Sequence, residues 1–174
     1  THILFPAERT RAFTFIEKQV SQGHQAFIIY PLVEESEKSE AKAAVEEHAH
    51  LQAHIFPNLR LGLLHGRMKS EEKEEVMARF RDGEADILVS TSVVEVGVDI
   101  PNATVMVIEG ANRFGLSQLH QFRGRVGRGE AQSHCLLMIE DEQEVNARFK
   151  AFLECDNGFE LAEKDLAIRG PGEF

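Results

Sequence analysis

The chain has 174 residues, of which 43% are hydrophobic and 28% charged, enough for one domain with a core of its own. A formal net charge of −10 speaks against a protein that coats nucleic acid by bulk positive charge, and no apolar run approaches the ~20 residues that cross a bilayer. The opening THILFPAER is no leader peptide, and two cysteines, Cys135 and Cys155, suit a reducing compartment, so a cytoplasmic protein with no membrane partner is expected.

In chain order, residues 12–23 are amphipathic and end on Gly23, which predicts a helix. The run QAFIIYPLV (25–33) reads as a buried strand closed off by Pro31, and the Ala- and Glu-rich stretch 36–56 as one long helix. A strand over 59–66 precedes a helix over 70–83, with Ser70 as its cap, acids in its first turn and Gly83 at its end. DILVSTS (86–92) and ATVMVIEG (103–110) are short apolar runs and read as central strands. A helix over 115–122, a strand over 133–140 and a helix over 142–155 complete the pattern.

Strands that alternate with helices, and are apolar throughout rather than at every second residue, predict an α/β domain built on a parallel sheet covered on both faces. Ligands of such sheets bind beyond the carboxyl ends of the strands, where the loops at 65–68, 90–101 and 110–115 should fall. Internal repeats and low-complexity linkers are absent from the sequence, and both ends look cut from a longer chain.

One stretch departs from the acidic background. Residues 118–129 read QLHQFRGRVGRG, with three arginines and three glycines between Arg123 and Gly129; widening the window to 113–129 adds Arg113 and no acid. On a helical reading Gln121, Arg125 and Arg128 share a face. A glycine inside a helix costs ~1 kcal/mol relative to Ala, so Gly124 and Gly127 imply another surface approaching the backbone closely. Guanidinium forks suit phosphate oxygens, which they bind in plane and with permanent charge.

The Gln121-to-Arg128 pattern resembles motif VI of the superfamily 2 helicases and translocases, whose motors are two RecA-like domains clasping ATP. The resemblance makes Arg125 and Arg128 the catalytic arginines that reach a nucleotide held by the other domain, with Gln121 beside it. Arginine fingers of this kind are worth ~10³–10⁵ in kcat. The segment 90–109 is similar to motif V. That similarity implies a nucleic-acid backbone contact at Thr91 and Ser92 and a nucleotide contact at Gly97 and Asp99. LGLLHGRMKSEEK (61–73) is similar to a segment that touches the DNA backbone, which points to His65 and Arg67. Arg123 could face DNA or pair with an acid.

Over residues 25–174 the chain most resembles the bacterial RecG family of ATP-dependent DNA helicases, with the transcription-repair coupling translocases as the nearest rival. Its marks include LLHGRMKSEEKEEVMARF, RFGLSQLHQFRGRVGRG and NGFELAEKDLAIRGPGEF. The last segment resembles their translocation motif, a helical hairpin and loop, whose two arginines match Arg148 and Arg169. The resemblance therefore implies a second RecA-like motor domain over 1–140 and the start of the hairpin over 141–174. It implies ATP with Mg2+ as cofactor, held mainly by an N-terminal motor domain. The remaining implied partners are a wedge domain and branched double-stranded DNA, in a bacterial, nucleoid-associated setting. Two other classes stay open: a nucleic-acid-binding module on a RecA-like scaffold, and an RNA helicase.

Two patterns are discounted. His50 and His54, with His48 nearby, have helical spacing but no accompanying ligand pattern, and no metal is expected. Asp141 and Glu142 follow a strand as a Walker B pair would, but after motif VI, which is the wrong order. The chain also contains no G-K-[ST].

Overall fold

The computed structural model describes residues 1–31, 37–91, 100–126, 132–140 and 147–154, with the backbone alone at 37–40 and 148. Six strands form one sheet: β1 (His2–Leu4), β2 (Gln25–Tyr30), β3 (Leu61–Leu64), β4 (Ile87–Thr91), β5 (Ala103–Ile108) and β6 (His134–Met138). Their order is β1-β6-β5-β2-β4-β3, and every neighbouring pair is parallel. The helices are α1 (Arg9–Ser21), α2 (Glu37–His50), α3 (Ser70–Arg81), α4 (Leu116–Arg123) and α5 (Ala147–Glu154). This is the expected parallel sheet with helices on both faces.

The apolar strands bury side chains on both sides because both sides are covered. Ala26, Ile28, Val89, Val105, Val107 and Leu136 point to one face, where Ala12 and Ile16 of α1 meet Leu51 and Phe56. Phe27, Ile29, Leu88, Met106, Ile108 and Leu137 point to the other, under Phe80 of α3, Leu119 and Phe122 of α4, and Phe149 and Phe152 of α5. α5 therefore shares the core of the sheet. A second arm of the expected hairpin would fall in 155–174, outside the described residues, as does the segment beside the expected 140/141 division.

Several local details differ from the sequence expectation. β2 stops at Tyr30 because Pro31 has no N–H to continue the ladder. The long helix ends as an α-helix at His50 and continues as a π turn over Leu51–Ile55, closed by the Phe56 N–H on the Leu51 carbonyl at 2.7 Å. The Gln52 amide holds that wider turn: it donates to the carbonyls of Phe56 (3.0 Å) and Leu59 (2.7 Å) and accepts from the Leu61 N–H (3.3 Å). Ser70 is the first helical residue of α3 and not its cap; Lys69 holds the cap position, without a side-chain bond. The edge strand β1 had no counterpart in the predicted elements.

Because all strands run the same way, their carboxyl ends share one edge. Strand order reverses at β2, which has β4 on one side and β5 on the other, so the crevice typical of such sheets opens where these three strands end. Gly110, just past β5, has φ +56°, and a Cβ there would lie 3.0 Å from Cγ of Pro31, just past β2. The loop starts at 65–68 and 110–115 lie along this edge as expected; residues 92–99 are outside the described residues.

Candidate functional site

At the crevice, Tyr30 of β2 is in register with Thr91 of β4, and the Glu109 N–H extends the β5 pairing to the Ile29 carbonyl at 2.8 Å. Thr91 is only 4% exposed, and its hydroxyl has no hydrogen-bond partner among the described residues. The other motif V candidates, Ser92, Gly97 and Asp99, lie outside them.

Next along the edge, beyond β3, His65 shapes its own turn. Its Nδ1 accepts the Arg67 backbone N–H at 3.2 Å, which leaves the neutral ring's proton on Nε2. The His65 N–H points to the Met68 sulfur at 3.4 Å, and the His65 carbonyl accepts from the Met68 N–H at 3.3 Å. The turn presents an exposed Arg67 at the carboxyl edge. His65 is thus a builder of the loop on which Arg67 stands, a role its sequence position did not reveal.

The arginine cluster is placed differently. β5 and β6 are parallel, so the chain must return from the carboxyl end of one to the amino end of the other. α4 makes that return along the face that carries Phe122, and its eight residues span ~12 Å. The helix ends at Arg123 with Gly124 as its cap, so Arg125 does not continue the helical face of Gln121 as the spacing suggested. The Gly124 N–H still reaches the His120 carbonyl at 2.9 Å, but the Arg125 N–H bonds Phe122, three residues back, at 3.0 Å. The last turn is tightened, and Gly124 carries no helix-interior penalty. Gln121 is exposed and Arg125 half-buried, while Val126 is buried in the core below. Arg128 and Arg169 lie outside the described residues, and Arg148 is described by its backbone alone, within α5.

Arg123 is turned toward α5. Its Nη1 donates to the Phe152 carbonyl at 2.8 Å, Nη2 donates to His120 Nδ1 at 3.3 Å, and its guanidinium carbon sits 4.0 Å from the centre of the Phe152 ring. The arginine turn therefore starts from a helix end that is fastened to α5.

A cavity of about 690 Å3 opens at the same carboxyl edge, toward α1 and α2. Arg9 Nη2 donates to Glu109 Oε2 at 2.9 Å, and the Tyr30 hydroxyl donates to Glu47 Oε1 at 3.1 Å. Glu109 is 8% exposed; burial raises its carboxyl above the ordinary range, and Arg9 opposes that shift. The Tyr30 hydroxyl is raised by burial first and then by Glu47 and Glu109. Sequence reasoning missed this group, although an acid directly after the wholly buried β5 was the available signal. His48 is engaged with the Leu61 carbonyl at 3.0 Å, and the His50 and His54 rings lie 5.3 Å apart. Among the described residues, no three or more His, Cys, Asp or Glu side chains converge to hold a metal, and no helix is long and apolar enough to cross a membrane.

Comparison with known proteins bears on this arrangement. The family model of the helicase conserved C-terminal domain matches residues 10–130, which include β2 to β5, α4 and the arginine turn. The chain belongs to that helicase domain family. It is 54% identical over 175 residues to the ATP-dependent DNA helicase RecG of Synechocystis, covering all of this chain and 21% of the relative. To RecG of Thermotoga maritima it is 51% identical over 174 residues, covering 99% of this chain and 22% of the relative. The chain thus spans about a fifth of the length of these relatives. A solved structure of RecG bound to a three-way DNA junction superposes with a TM-score of 0.82 at 45% identity, over 99% of this chain and 22% of that one. Yeast Dbp5 bound to RNA and ADP BeF3 superposes at 0.61 and 18% identity, over 97% of this chain and 44% of that one, a likeness of fold alone. The helicase domain described here is therefore a RecA-like C-terminal domain, most similar in sequence to RecG among the relatives named.

Proposed function

We propose that this domain is the second motor domain of an ATP-dependent double-strand DNA translocase that remodels branched DNA, such as stalled forks and Holliday junctions, in recombination and repair. The observation that supports it is whole-chain identity of about half to RecG helicases, and a RecG structure of the same fold bound to a three-way junction. The chain's own sequence has no Gly-Lys-Ser/Thr loop, so ATP and Mg2+ would be held mainly by a preceding motor domain.

In this proposal Arg125 and Arg128 supply fixed positive charge and N–H forks to the triphosphate. There they stabilise negative charge that builds up on the transferred phosphoryl oxygens. Gln121, Gly97 and Asp99 line the nucleotide side. Arg67, on the loop shaped by His65, and Thr91 with Ser92 meet the duplex backbone at the carboxyl edge, a non-specific and salt-sensitive contact. Arg148 and Arg169 couple closure to movement along DNA. A wedge domain elsewhere in the full-length protein would recognise the branch. The cytoplasm of a bacterium, at the nucleoid, is the corresponding setting.

The discriminating experiment compares stimulation of ATP hydrolysis in the full-length helicase by forked duplex DNA and by duplex RNA of the same design. Strong stimulation by DNA alone is expected. Equal stimulation by RNA would overturn the DNA assignment, and DNA binding without any stimulation would reduce the domain to a binding module.

A further inference from the structure

We infer that Arg123 is a positioning residue for ATP turnover, acting through α5: it fixes the end of α4 from which the arginine turn departs. The inference deepens the motor proposal and rests on it. Arg123 closes α4 two residues before Arg125, so any tilt of that helix end displaces the Arg125 guanidinium directly.

Among the described residues, three contacts hold the Arg123 side chain in place. The Phe152 carbonyl belongs to α5. Nη1 donates to that carbonyl at 2.8 Å. The ring of the same residue receives the guanidinium at 4.0 Å, well inside the distance at which a cation is attracted to an aromatic face. His120 Nδ1, one turn earlier on α4, accepts from Nη2 at 3.3 Å and orients the plane. Phe152 is itself fully buried and packed in the same core as Phe122, so the anchor is part of the core that covers the sheet.

A lysine could reach the carbonyl but could not also lay a plane on the ring. The arginine is therefore specified by the combination of a backbone carbonyl with an aromatic face on one residue. Positioning of this kind matters because an ångström of misplacement at a catalytic group can cost ~10²-fold in rate. What separates this role from a direct contact with ATP is its shared dependence on Phe152, whose carbonyl and ring hold the guanidinium. Loss of Arg123 should lower kcat and leave the affinity for ATP alone.

The test uses the full-length helicase on forked DNA, with ATP turnover and ATP binding measured for Arg123→Ala, Arg123→Lys, Phe152→Leu and, as reference, Arg125→Ala. The expected result is a fall in kcat of about tenfold or more for Arg123→Ala with KM within about twofold. Phe152→Leu, which keeps an apolar side chain in the core but removes the ring, should give a smaller fall of the same kind. Arg123→Lys should recover part of the loss, and Arg123→Ala combined with Phe152→Leu should be no worse than Arg123→Ala alone. Unchanged kcat in Arg123→Ala overturns the inference, as does a rise in KM at constant kcat or a loss of activity matched by a loss of folded protein in both single variants. If Arg125→Ala itself leaves turnover intact, the motor assignment of the turn fails first, and the positioning role falls with it.

Discussion

On one face of the sheet, α3, α4 and α5 bring Phe80, Phe122, Phe149 and Phe152 down on strand residues, and the arginine turn rests on this packed layer. Phe114 meets Phe122 edge to face at 5.4 Å in the same layer. On the other face, α1 and the segment after α2 cover the sheet with Ala12, Ile16, Leu51 and Phe56, and Phe13 meets Phe56 edge to face at 5.4 Å. Toward the carboxyl edge that covering gives way to the cavity of Arg9, Glu109, Tyr30 and Glu47. The first face offers a rigid mount for charged groups that must be held in place. The second keeps its charges paired with one another at the edge of the core.

Breaking the packed face should have the largest effect. Phe122→Ala removes a buried ring between α4 and the sheet and should lower stability by about 3–5 kcal/mol, read as a shift in the urea unfolding midpoint of this domain. A loss below 1 kcal/mol would mean that α4 is not mounted as described.

The opposite face should respond less and depend on pH. Arg9→Ala should cost about 1–3 kcal/mol at pH 7, less than a fully buried pair because Arg9 is partly exposed. Glu109 has a folded-state carboxyl raised above its unfolded value, so its contribution is fully present below the unfolded range and is lost as pH rises through the folded one. Removing Arg9 takes away the group that opposes the rise and widens that window. The cost of Arg9→Ala should therefore shrink as pH falls from 7 toward 5, measured by thermal unfolding; a cost independent of pH would show that the pair does not govern Glu109.

Between the two faces, at the end of β4, Thr91→Val should be the mildest change. It replaces a buried hydroxyl that has no partner among the described residues with a methyl group, and should leave stability within about 0.5 kcal/mol or raise it. A clear loss would show that this hydroxyl is hydrogen-bonded in the folded protein.

The sheet was legible in the sequence because strands buried on both faces are apolar throughout, as at Ala26 to Ile29 and Val105 to Ile108, and their spacing by helices left little choice but parallel pairing. The edge strand β1 was not, since three residues carry no periodicity and its partner, β6, lies more than 130 residues away. The π turn at Leu51–Ile55 was hidden for another reason: it depends on Gln52 reaching Leu61, a tertiary contact that local pattern cannot register. Within the site, the arginine cluster stood out from the acidic background by residue type and spacing. Its geometry was not readable, because the helix ends one residue before Gly124 tightens the turn, and the shared face assumed a regular helix. The fastening of Arg123 to Phe152 needed the fold, since nothing in local sequence pairs residues 29 apart.

The most direct test of the account is steady-state ATP turnover by the full-length helicase on forked DNA, with Arg125→Ala and Arg128→Ala each compared with wild type and ATP and DNA affinities measured alongside. The account predicts a fall in turnover on the order of 10³-fold or more while both ligands still bind. Turnover at the wild-type rate in both variants would contradict it and leave the cluster a DNA-facing or structural feature.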